Sequence, residues 1–322
     1  MPIDIGNFTS SMRVFFKIIV ESVLIAINEL VTNKLRSFLS LFGITIGILC
    51  IISVFTAVDS LERNIRSSIE KLGDDVIYIQ RWPWNFGDEN YEWWKYFKRP
   101  VSDRQELKAI QKKVQSASSA SLVVRVEDQM VKHRELSMED IETVGVTFRY
   151  EQIKRFIFQE GRFFSMLEAN SGSNVAILGA NIADQLFPRK KQIVGRYIQY
   201  KGRDVRVIGV LKEEGDDILG FSADNQVYLP YNFINRFFKF SRRGEEPFLA
   251  VKARDGLTLE SLKSELTGVM RAQRRLKPSR ENNFALNQIS ILSKNLNSIF
   301  GMINIAGWVI GLFAILDKLD RD

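Results

Sequence analysis

The sequence predicts an α+β domain bracketed by two membrane-spanning helices, and three observations predict it. Phe38 to Val58 is an uncharged run of 21 residues, FLSLFGITIGILCIISVFTAV. Ser298 to Leu316 is a second uncharged run, of 19. Each is long enough to cross a hydrocarbon core at about 1.5 Å per residue. Between them lie about 240 residues of ordinary globular composition, in which strand-like and helical patterns mix without strict alternation. The expected organisation is a cytoplasmic, interfacial helix in 1–36, a first membrane helix in 37–58 and a stalk plus extracytoplasmic domain in 59–297. A second membrane helix in 298–316 and a short tail in 317–322 complete it.

The elements follow in order. In residues 11–35, Phe16, Val20, Val23, Leu24, Ile27, Leu30, Val31 and Leu35 recur at three- and four-residue steps, with Lys17, Glu21, Asn28 and Glu29 off the stripe. This is an amphipathic helix, too charged to span, suited to the membrane surface or to a partner helix. Lys34 and Arg36 precede the first apolar run and Asp59 and Glu62 follow it, which puts the N-terminus in the cytoplasm and exports the domain. The run starts too late, and lacks an A-x-A site before Asp59, to be a cleavable signal. Beyond it Leu61, Ile65, Ile69 and Leu72 keep the helical period up to Gly73, a natural helix stop. Ile289, Leu292, Leu296 and Ile299 lead into the second run in the same way, so a pair of stalk helices is expected. Each run carries a G-x-x-x-G, Gly43/Gly47 and Gly307/Gly311, a spacing that lets helices approach closely in lipid.

Inside the domain Val76–Ile79 reads as a strand, followed by RWPWNFGDENYEWWKYFKRP. That stretch holds Trp82, Trp84, Trp93 and Trp94, four of the five tryptophans. Two readings stand for it: a loop that binds substrate or partner, and a long loop tacked onto the surface by its own rings. A helix is expected over 103–114, strands over 121–126, 143–148 and 174–178, and a helix over 181–187. Strands at 193–200, 205–211, 227–229 and 248–251 and a helix at 258–276 complete the pattern.

Composition excludes several chemistries. The net charge of +7 falls entirely between residues 59 and 297, with small clusters at Lys95/Lys98/Arg99, Arg189–Lys191 and Arg271–Arg280. Dispersed in this way it suits a solvated surface or anionic lipid headgroups, and no nucleic-acid motif accompanies it. Cys50 is the only cysteine and lies in the first apolar run, so no disulfide framework is available. His133 is the only histidine, which leaves a metal site or a triad little to work with. No G-x-x-x-x-G-K-[ST], G-x-S-x-G or C-x-x-C occurs, and the strand-to-helix turn in NVAILGANIADQLF lacks G-x-G-x-x-G. No enzyme, cofactor or metal is expected.

Particular strings carry a family resemblance. Asn33-Lys34-Leu35-Arg36-Ser37 before FLSLFGITIGI, then Leu72-Gly73-Asp74-Asp75-Val76-Ile77, resemble the first helix and the start of the extracytoplasmic domain in MacB/FtsX-type ABC-transporter permeases. Gly161-Arg162-Phe163-Phe164, VAILGANIADQLF, Val194-Gly195-Arg196, Val205–Leu211 and Val227-Tyr228-Leu229-Pro230 are similar, in order and spacing, to that family's periplasmic core domain. The resemblance implies a permease subunit in a bacterial inner membrane, forming a homodimer or heterodimer and paired with a cytoplasmic ABC ATPase. It implies that ATP-driven movement passes along the stalk to the periplasmic domain, called mechanotransmission, and it leaves room for a periplasmic adaptor or outer-membrane partner. It also implies four membrane helices, so a chain ending at DKLDRD is expected to be a fragment. The rival reading, a two-helix membrane sensor with an extracytoplasmic ligand-binding domain, accounts for the helices but not for the GRFF, VAILG and VIGVL series.

Overall fold

The computed structural model describes residues 34–70, 75–84, 93–188, 192–215, 222–238, 240 and 245–290, with scattered positions in 17–32 and 296–309. The chain divides into two compact units, one of Leu61–Gly301 and one of Met1–Ser60 with Met302–Asp322.

Helix α1 (Lys34–Glu70) runs unbroken for 37 residues, about 55 Å at 1.5 Å per residue. Its Thr45–Arg66 portion is, among the described residues, the one helix long and apolar enough to cross a membrane, and none of its apolar window is buried. A shorter apolar helix occupies Ser298–Gly307; residues 310–316 of the expected second span lie outside the described residues. In the first unit a Cβ added at Gly307 would stand 2.5 Å from Phe55 Cζ, so a ring packs where a side chain would otherwise be. Leu35, Phe38, Leu39, Phe42, Ile48 and Leu49 are all exposed, the surface expected of a helix facing lipid. Near the N-terminus Val20 and Leu24 of the expected stripe are helical and exposed, but so are Ile18 and Ile25 outside it. Phe16, Val23, Ile27, Leu30 and Val31 lie outside the described residues.

The second unit is built on one mixed sheet of ten strands, ordered β10-β1-β9-β2-β3-β8-β5-β7-β4. The strands are β1 (Val76–Gln80), β2 (Ala117–His133), β3 (Leu136–Val146), β4 (Phe158–Gly161) and β5 (Val175–Leu178). They continue with β6 (Tyr197–Tyr200), β7 (Arg203–Leu211), β8 (Gln226–Pro230), β9 (Phe248–Ala253) and β10 (Ala285–Gln288). Pairing is antiparallel except for β3 with β8 and β5 with β7. Strand β6 lies off the main path and pairs with both β7 and the far end of β2, so β2, β3, β8, β5, β7 and β6 close into a ring.

Alternation along the strands feeds two cores. Leu122, Val124 and Val126 of β2 enter one, while Val123 enters the other. Along β7, Val205 and Val207 face the first core and Ile208 the second, and then the pattern slips by one residue, with Val210 in the first and Leu211 in the second. The slip coincides with the register shift where Ala176 pairs Val207 but Ile177 pairs Gly209.

The helices that cover the sheet begin where the sequence supplies caps. Helix α2 (Trp93–Phe97) is short and has no buried residue. Helix α3 (Arg104–Lys113) starts at Asp103, whose carboxylate accepts from Glu106 N while Glu106 reaches back. Helix α4 (Met166–Ser171) has the same capping box from Ser165 and Glu168. Helices α5 (Ala180–Leu186) and α6 (Tyr231–Ile234) follow β5 and β8 directly, and α7 (Leu259–Gln273) is capped by Thr258. α3 and α7 are joined by a buried ion pair, Arg274 Nε to Glu106 Oε1 at 2.7 Å, with side chains 6% and 7% exposed.

The strings that carry the family resemblance turn out to be packing devices. At Gly161 φ is +87° and an added Cβ would sit 2.2 Å from the Ile208 carbonyl oxygen, so only glycine fits. Arg162 forks onto Glu168 at 2.8 and 2.9 Å, and Phe163 and Phe164 are buried. Gly179, which ends VAILG, has ordinary angles, yet a Cβ there would meet the Ala223 and Asp224 carbonyl oxygens at 2.1 and 2.3 Å.

Candidate functional site

Strands β1 and β10 are neighbours at one margin of the sheet, paired Ile77↔Gln288 to Gln80↔Ala285. β1 follows α1 in the chain, and Gln288 is followed by helical Ile289 and Ser290. The chain therefore leaves one apolar helix and returns toward the other through two hydrogen-bonded strands. The aromatic segment starts at the end of β1, beside the start of β10.

Trp82 and Trp84 are half-buried and held by several directed contacts. Pro83 between them fixes its own φ and biases Trp82 toward an extended backbone. Trp84 Nε1 donates to Gln80 Oε1 at 2.8 Å, and its backbone N donates to Asn287 Oδ1 at 3.0 Å. Asn287 Nδ2 donates to Gln80 Oε1 at 3.1 Å and to the Trp82 carbonyl at 2.8 Å. The Trp84 ring packs on Tyr78, centroids 5.4 Å apart. Burial, with Tyr150 close by, holds the Tyr78 phenol well above its usual pKa, so it stays neutral. Trp82 Nε1 donates to Glu246 Oε2 at 3.0 Å, and Glu246 also takes the guanidinium of Arg81, whose side chain is 3% exposed. Arg81 lies between the Trp82 and Phe97 rings, 4.9 and 5.1 Å from their centroids, and donates to the Phe97 carbonyl. Arg99 donates to the Arg81 carbonyl at 3.0 Å and stacks on Tyr96.

Trp93 and Trp94 are a different case. They stand edge to face on α2, centroids 6.0 Å apart, and are 59% and 52% exposed. Phe97 on the same helix is 39% exposed. Rings of this kind offer flat apolar area with an N–H handle, which suits contact with another molecule. The four tryptophans thus split into a wired pair and a presented pair.

The other expected site residues fall variously. Gly43 and Gly47 have nothing within 4 Å of an added Cβ, Gly307 meets Phe55, and Gly311 lies outside the described residues. In the stalk, Leu61 is 42% exposed, Ile65 and Leu296 are half-buried and Ile289 is buried. The Ile69 side chain and Leu292 lie outside the described residues. His133 donates through Nδ1 to the Tyr197 carbonyl, 2.7 Å away, and its ring rests on Phe187. It is a strand residue of the ring. Among the described residues no cluster of His, Cys, Asp or Glu could hold a metal ion. Asn287, Arg81, Glu246 and Phe97 carry the site's geometry; Arg81 and Phe97 belong to the aromatic stretch that the sequence singles out, whereas Asn287 and Glu246 are not flagged. Asn287 and its Trp82 partner are 205 positions apart, which local pattern cannot reveal.

Comparison with known proteins fits this architecture. The model of the MacB-like periplasmic core domain matches residues 37–269. The macrolide export ATP-binding/permease protein MacB of Shigella dysenteriae serotype 1 is 30% identical over 227 residues, 70% of this chain and 33% of that protein. MacB of Escherichia coli K12 is likewise 30% identical over 227 residues, with the same coverage. This chain thus spans about a third of the length of these curated relatives. Among solved structures, the periplasmic region of MacB from Actinobacillus actinomycetemcomitans aligns with TM-score 0.56 at 15% identity, over 71% of this chain and 95% of that one. The extracellular domain of the noncanonic ABC-type transporter YknZ from Gram-positive bacteria aligns with TM-score 0.50 at 18% identity, over 66% of this chain and all of that one. These structures share the fold, and the family match over more than half of the sequence decides membership. The chain belongs to the family of the MacB-like periplasmic core domain.

Proposed function

We propose that this chain is the permease part of a MacB/FtsX-type ABC transporter, held in a bacterial inner membrane with its N-terminus in the cytoplasm. Its Leu61–Gly301 unit works outside the membrane. A cytoplasmic ABC ATPase supplies the driving force, and a second permease subunit, identical or homologous, completes the transporter. Movement of the apolar helices reaches the exported domain by mechanotransmission, and the domain acts on cargo already outside the membrane. An adaptor or outer-membrane channel is compatible with this arrangement. The observation that carries the reading is the pairing of β1 with β10: strands leading from and toward the two apolar helices are bonded directly to each other. A change in the separation or tilt of the helices is then delivered to one margin of the sheet, and no flexible linker absorbs it along α1.

The reading is tested by inserting Gly-Gly after Ile65. Two residues rotate the apolar stripe by about 200°, and each glycine weakens the helix by about 1 kcal/mol. The expected result, in cells with the partner ATPase, is loss of transport with the protein at normal level and ATPase association intact. Unchanged transport would mean that the helix is only a spacer.

A further inference from the structure

We propose that Asn287 is a positioning residue that couples β10 to the presented tryptophans, so that Trp93 and Trp94 respond to displacement of the apolar helices. The proposal rests on the permease reading and assigns its mechanical output to a specific place.

Asn287 is 1% exposed, on a short edge strand otherwise made of Ala, Leu and Gln. The orientation of its amide is fixed by its neighbours. The Trp84 backbone N–H can only donate, so the atom facing it is Oδ1; the Trp82 carbonyl can only accept, so the atom facing it is Nδ2. Gln80 is fixed likewise by Trp84 Nε1, and takes Asn287 on the same Oε1. One buried amide therefore bridges β10 to both sides of the Trp82-Pro83-Trp84 turn. From there the chain of contacts runs through Trp82 to Glu246, from Glu246 to Arg81, and from Arg81 to the Phe97 carbonyl on α2. Every link is a directed hydrogen bond or ion pair, with Asn287 and Arg81 buried and the others partly so, a setting in which such bonds rigidify a structure. The strand ladder and the peptide bond after Gln80 already move the Arg81 backbone with β10. The Asn287 bridge adds the Trp82-Pro83-Trp84 turn, whose Trp82 ring sets Glu246 and, through it, the Arg81 guanidinium against α2. The route ends at Phe97 on α2, the helix that presents Trp93 and Trp94, 59% and 52% exposed.

The test uses the full chain in lipid nanodiscs, with Cys50→Ser removing the native thiol. Phe55→Cys and Gly307→Cys, which lie against each other, are joined by a short bis-thiosulfonate linker to lock the helices. Hydrogen exchange of the 93–99 peptide is read before and after locking. With Asn287 present, locking is expected to change that exchange rate by about threefold or more. In Asn287→Asp, which keeps the shape but removes both donors, and in Gln80→Met, which removes the shared acceptor, locking is expected to leave it unchanged. Exchange in β5 and β7 serves as the reference and stays the same in all proteins. An equal response with and without Asn287 would reduce it to a purely structural residue and overturn the proposal. No response in any protein would also overturn it; if the Gly-Gly insertion still abolished transport, the permease reading would stand without this route.

Discussion

The two margins of the sheet are held together by different means. In and beside the ring formed by β2, β3, β8, β5, β7 and β6, close backbone fits recur: Gly161 of the flanking β4 against the Ile208 carbonyl, Gly179 after β5 against the Ala223 and Asp224 carbonyls. The margin that connects to the apolar helices, β1 and β10 with α3 and α7, is wired by side chains. There Asn287 clasps the tryptophan turn, Arg81 meets Glu246, and Arg274 grips Glu106 and the Asn283 carbonyl. Glu265 of α7 collects the backbone N–H groups of Gln115 and Ser116, and the Ser116 hydroxyl bond holds its pKa below the usual carboxylate value. A backbone fit tolerates no Cβ and leaves little freedom; side-chain contacts can shift and reform. Most of the core-domain strings that carry the family resemblance sit in or beside the ring, which makes them marks of the scaffold, while Leu72–Ile77 leads into β1 at the connected margin.

The largest expected effect is at the wired margin. Arg274→Met would leave Glu106 buried without its cation, and removing one member of a buried pair costs about 3–5 kcal/mol. Chemical denaturation of the domain should read that loss. A loss below about 1 kcal/mol would mean that water reaches Glu106 freely and that the pair is not the anchor described. In the ring, Gly179→Ala should cost about 3 kcal/mol, because both obstructing atoms are backbone oxygens that no rotamer change can move. A neutral result there would break the contrast between the two margins.

Much of the scaffold was legible in sequence. β1, β5, β7 and β8 lie within or close to their expected ranges because they are short apolar runs buried on both faces, and α3 and α7 because Asp103 and Thr258 announce them. The outer arm of the β2–β3 hairpin was not: residues 127–142 are mostly polar and exposed, with only Val131, Ile141 and Gln129 buried, so the hydrophobic pattern does not announce the strands. β6 begins at Tyr197 rather than 193, because Val194 and Gly195 form a turn with Gly195 at φ +91°. β10 was hidden because its buried positions are an alanine and an asparagine, Ala285 and Asn287. Nor could the ring closure, made by two residue pairs between β2 and β6, be foreseen from any local pattern. The split among the tryptophans depends on Asn287 and Glu246, both far away in sequence.

That split gives a smaller, sharper comparison. Trp84→Phe keeps the ring on Tyr78 but removes the donor to Gln80, and should cost about 1 kcal/mol. Trp93→Ser and Trp94→Ser, at exposed positions, should change stability by less than about 0.5 kcal/mol. If thermal unfolding ranked them the other way, the assignment of wired and presented pairs would be reversed. The least effect is expected from the surface fork that joins the end of β4 to α4. Arg162 on Glu168, aided by Ser165, holds that carboxyl down at about 2 from an ordinary 4.5. The folded value lies below the unfolded one, so its contribution is full above about pH 4.5 and fades as pH falls toward 2. Glu168→Gln should flatten the acid side of the stability profile in that window and leave the neutral side parallel.

The central claim, an exported domain driven from within the membrane, is tested most directly by sidedness. With Cys50→Ser as background, Ser118→Cys, exposed near the start of β2, and Thr9→Cys near the N-terminus are labelled in intact cells. A membrane-impermeant maleimide is used before and after permeabilisation of the inner membrane. The account predicts that position 118 reacts at once and position 9 only after permeabilisation. Labelling of position 9 first, with position 118 protected, would contradict it.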